Sequence, residues 1–89
     1  MSRVPPLTCD EVKHALTQLG FSPAPRQGGS HEQWLKTTDG RRFKVTVDCP
    51  KAPFSPTLIA SMAHQAGITV ADLYRAADKK RKWSWLHRP

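Results

Sequence analysis

The groups in this chain that could do chemistry converge on one short stretch, Arg26-Gln27-Gly28-Gly29-Ser30-His31. An imidazole titrates near neutrality, at about pH 6.5, so His31 can take up and return a proton. Gly28 and Gly29 leave room for a phosphate to approach backbone amides, as in an anion-binding nest. Ser30 can orient either the loop or that phosphate, while Arg26 and Lys44 would add positive charge. Cleavage of RNA makes three demands: a base for the ribose 2′-hydroxyl, an acid for the departing 5′-oxygen, and positive charge around phosphorus. His31 and the cations answer the first and third. For the second, a shared role for His31, a lysine or a bound water each remains open. From the residues alone, an ordinary surface histidine beside a turn is the favoured reading of His31.

The other reactive groups offer less. The histidines are scattered, and no paired Asp/Glu arrangement suits magnesium, so neither a metal site nor a cofactor is expected. No nucleophile motif precedes a helix in the manner of a hydrolase elbow. Cys9 and Cys49 form neither a CxxC pair nor a zinc-binding set. They are expected to be reduced thiols, packing as small apolar residues in a cytoplasmic protein.

Charge narrows the partners. Fourteen Lys and Arg against seven Asp and Glu give a formal charge of +7 over 89 residues, which favours a polyanion or an acidic protein as partner. One cationic cluster is Arg41, Arg42 and Lys44; another is Lys79, Lys80, Arg81 and Lys82, adjoining Trp83 and Trp85. Those two tryptophans could stack on unpaired bases or anchor the tail on the domain. No apolar run approaches the roughly 18–20 residues that span a bilayer, and Met1 to Pro6 has no apolar stretch of a secretory signal. A channel, a disulfide-rich secreted scaffold and a large multidomain enzyme are excluded.

The elements that must position these residues follow from pattern. Thr8-Cys9-Asp10-Glu11 is a capping box, followed by Val12, Ala15, Leu16 and Leu19 at helical spacing, with Gly20 as terminator. His14 lies opposite that stripe and should face water. Phe21 to Arg26, with Pro23 and Pro25, fits only an edge strand. His31 to Lys36 and Arg42 to Val47 read as strands around a Thr37-Thr38-Asp39-Gly40 turn. In the latter strand Phe43, Val45 and Val47 share a core face, and Arg42, Lys44 and Thr46 a basic one. Trp34, in mid-strand, is expected in the core. Ser55-Pro56 opens a helix closed by Gly67, with His64 off its buried stripe, and Thr69 caps a last short helix. The order is α-β-β-β-α plus a short extra helix: an α+β fold with a three-stranded antiparallel sheet and helices on one face. Domain limits are an arm (1–7), a domain (8–77) and a basic tail (78–89).

Four pieces in this order resemble the HicA-type (YcfA-like) mRNA interferase toxins. They are Leu19-Gly20-Phe21, Arg26-Gln27-Gly28-Gly29-Ser30-His31, Asp39-Gly40-Arg41-Arg42 and Gln65-Ala66-Gly67-Ile68, spread from roughly Thr8 to Ala77. The resemblance implies a fold similar to a double-stranded-RNA-binding domain and metal-independent cleavage of mRNA, with His31 as catalytic residue. It implies a HicB-type antitoxin as partner in a hetero-oligomeric complex, the toxin alone being a monomer, with no membrane involvement. Arg26, Gly28, Gly29, Ser30, Arg41, Arg42 and Lys44 would then bind RNA, with the tail adding contacts. Members often carry a His near the end of the third strand, where this chain has Asp48 and Cys49. A non-catalytic RNA- or DNA-binding module is the alternative, and an interaction protein for an acidic partner a third.

Overall fold

The computed structural model describes residues 5–25 and 31–78. Helix α1 (Cys9–Gln18) begins as its capping box requires. The Glu11 amide donates to the Thr8 hydroxyl at 3.1 Å, and the Thr8 amide to Glu11 Oε1 at 2.8 Å. Val12, Ala15 and Leu16 are buried, and Gly20, at φ +96°, turns the chain away. His14 departs from expectation: it is half-buried, with Nε2 covered. The last helix packs along α1, leaving less of its surface open than a single apolar stripe implies.

The sheet is antiparallel, in the order β1 (Ser22–Pro23), β2 (His31–Thr38), β3 (Arg41–Asp48). β1 is shorter than the segment expected. Its neighbour Ala24 donates to the Gln33 carbonyl at 2.8 Å, so the flanking Pro23 and Pro25 direct their donorless nitrogens away from the sheet. The β2–β3 turn contains only Asp39 and Gly40, at φ +50° and +75°. Two successive left-handed residues make the tight turn that matches strand twist, so both strands run further than expected and Thr38 meets Arg41.

Helix α2 (Pro56–Ala66) is capped by Ser55 and ends at Gly67, at φ +75°; α3 (Val70–Ala77) is capped by Thr69. Trp34, Val45 and Val47 bring one sheet face into a core with Leu16, Phe54, Ile59, Met62 and Leu73. Between β3 and α2 a single 3-10 turn (Cys49–Lys51) leads to Phe54, whose amide donates to the Leu7 carbonyl. Here the cysteine expectation is corrected. Cys9 and Cys49 are joined in a disulfide, their Cα atoms 5.3 Å apart, within the usual bridging range. The fold brings the end of β3 to the start of α1, a proximity that a separation of 40 positions does not announce. Among the described residues no helix is long and apolar enough to cross a membrane.

Candidate functional site

Strand register decides which residues share the open sheet face. From Thr38–Arg41, each step back along β2 matches one step forward along β3. Alternate pairs are Thr37–Arg42, Leu35–Lys44, Gln33–Thr46 and His31–Asp48, all on the face away from the core. The Thr46 amide points outward to Gln65 Oε1 at 3.0 Å, and the Gln33 carbonyl accepts from Ala24. These pairs therefore belong to the non-hydrogen-bonded class, in which opposed Cα atoms approach to about 4.5 Å and side chains meet. Thr46 Oγ1 donates to Gln33 Oε1 at 2.9 Å.

At the end of this ladder, His31 Nε2 lies 3.3 Å from Asp48 Oδ2. The imidazole side chain is 61% exposed and the carboxylate 19%, so the ring is open to a large ligand while the acid is recessed beside it. Protonation of the ring would make the contact an ion pair. Asp48 also changes the face expected to be basic, which ends in a carboxylate. A turn read as Thr37-Thr38-Asp39-Gly40 leaves the residue opposite His31 undefined; the signal that finds it is closure on Asp39-Gly40 alone, since a two-residue hairpin sets the register of every later pair.

Lys44 and Arg42 are exposed on the same face, four and six residues along β3 from Asp48. At the rise of an antiparallel strand, Lys44 is about 13 Å from the His31 end. Arg41 belongs to the opposite side, its guanidinium 5.4 Å from the centre of the Phe43 ring. Leu35, 37% exposed, is the large apolar side chain open on the ladder. Trp34 is buried in the core with its indole Nε1 donating to Glu32 Oε1 at 3.3 Å. Arg26, Gly28, Gly29 and Ser30 lie outside the described residues, as do Lys79, Lys80, Arg81, Lys82, Trp83 and Trp85. Among the described residues no group of three or more His, Cys, Asp or Glu side chains comes together to hold a metal ion.

A family model described as the HicA toxin of bacterial toxin–antitoxin systems matches residues 9–68, from the first residue of α1 to just beyond α2. No curated protein and no solved structure matches the chain.

Proposed function

The chain belongs to the HicA toxin family of bacterial toxin–antitoxin systems, and from that premise we propose that it is a metal-independent endoribonuclease of mRNA. It acts in the cytoplasm and is held inactive by a HicB-type antitoxin. The observation that supports this most is the placement of His31, exposed at the end of an open sheet face that also presents Lys44 and Arg42. An exposed imidazole can reach a ribose hydroxyl, and the two cations can hold phosphates of the same strand. The substrate is single-stranded or locally opened RNA, because a paired ribose cannot bring its 2′-oxygen into line with the scissile bond. Arg26, Gly28, Gly29 and Ser30, which precede His31 in the sequence, are the further RNA-binding residues of this reading.

The experiment is cleavage of an mRNA fragment in EDTA by the wild type and by His31→Ala. Cleavage by the wild type, lost in a folded His31→Ala variant, is expected. Full activity in that variant removes His31 from the chemistry, and loss of wild-type activity in EDTA points to a metal instead. Salt-sensitive binding that leaves RNA intact identifies a non-catalytic binding module.

A further inference from the structure

We infer that Asp48 is the positioning residue of His31: it holds the ring by Nε2 and leaves Nδ1 to meet the ribose 2′-hydroxyl. The inference rests on the ribonuclease reading and adds to it an orientation for the ring. Four observations converge. His31 and Asp48 are opposed in a pair class whose side chains face each other closely. The nitrogen nearest the acid is Nε2, at 3.3 Å from Oδ2. Asp48 precedes the Cys49–Lys51 turn yet spends its carboxylate on no cap hydrogen bond there. Its successor, Cys49, is bonded to Cys9 at the head of α1, which fixes the backbone that carries the acid.

A carboxylate beside one imidazole nitrogen favours the tautomer with the proton on that nitrogen, and so makes the other nitrogen the base. Nδ1 takes the 2′-hydroxyl proton as the 2′-oxygen bonds to phosphorus. The bond from phosphorus to the 5′-oxygen breaks, leaving a 2′,3′-cyclic phosphate. The 5′-oxygen takes a proton from water, and the imidazolium returns its own to the hydroxide so formed. No second protein acid is needed. Asp48 never touches the substrate; it acts through the ring.

The test uses the full chain and compares wild type with Asp48→Asn, Asp48→Glu and Asp48→Ala. With Asp48→Asn, kcat for RNA cleavage in EDTA should fall roughly 10- to 100-fold, as when an imidazole loses the partner that orients it. KM should stay within about twofold, because binding is not what Asp48 supplies. Asp48→Glu should recover part of kcat. Nitrogen-15 spectra should place the proton of the neutral wild-type His31 ring on Nε2. In Asp48→Ala that share should fall toward the mixture of a free imidazole. Unchanged kcat with unchanged ring signals overturns the inference. So does a loss of activity matched by a lost melting transition in all three variants, which would make Asp48 structural. A wild type that cleaves no RNA but shows the Asp48-dependent ring signals sinks the nuclease reading and leaves the pairing standing.

Discussion

Lys44 and His31 occupy one face but different places on it. Lys44 stands opposite Leu35, two alternate pairs away from His31–Asp48. On the proposed ribonuclease reading, a cation at that remove would bind a phosphate flanking the scissile one, so its loss would weaken binding more than it slows chemistry. Lys44→Ala should therefore raise KM for RNA and leave kcat nearly intact. The slope of log affinity against log salt should shrink by roughly 0.7, the loss of one single-strand phosphate contact. Steady-state cleavage reads the first, and filter binding across a salt series the second. At this scale His31 was legible as a residue but its partner was not. Strand ends taken at Lys36 and Arg42 left the residue opposite His31 undefined, whereas closing the turn on Asp39-Gly40 leads by counting to Asp48. A shift of one residue would have sent Asp48 to the core face.

The helices owe their positions to polar caps that the sequence spells out, which is why their limits were legible. Thr8 and Thr69 each take part in a reciprocal pair with the residue three places on. Thr8→Ala and Thr69→Ala should each cost about 1 kcal/mol in urea unfolding. In the second cap, hydrogen bonds from Thr69, through its side chain and then its backbone amide, hold the Asp72 carboxyl below its ordinary value, and Arg75 at 2.8 Å adds to this. A carboxyl lowered in the folded state stabilises it above the unfolded pKa, and the benefit fades as pH falls through the folded one. Asp72→Asn should thus be less stable than wild type at neutral pH, and the difference should vanish in acid; urea midpoints across pH measure it. Gly67 joins helix to sheet. A Cβ there would lie 2.8 Å from Phe43 Cε1 on β3, at a backbone with φ +75°. The left-handed conformation alone costs a non-glycine residue about 1–2 kcal/mol, so Gly67→Ala should exceed that in the same assay. β1 is shorter than its sequence pattern suggests because a proline-bearing edge contributes few ladder bonds, and pattern does not say how many survive.

The whole molecule is closed by a bond that composition and spacing concealed. Cys9–Cys49 ties the head of α1 to the strand end bearing Asp48, across enough chain that its removal should matter globally. The Cys9→Ser, Cys49→Ser double variant should lose about 2–4 kcal/mol, and wild type unfolded in urea with excess reductant should match it. The open ladder has a consequence of another kind. On the proposed ribonuclease reading, a ring at one end and a clamp two alternate pairs away would turn the sheet into a ruler, with its zero mark at His31. Dinucleotides would engage the zero mark alone and turn over poorly. Oligomers long enough to lie across both marks would be cut efficiently, at a fixed offset inside the chain rather than by nibbling from its ends.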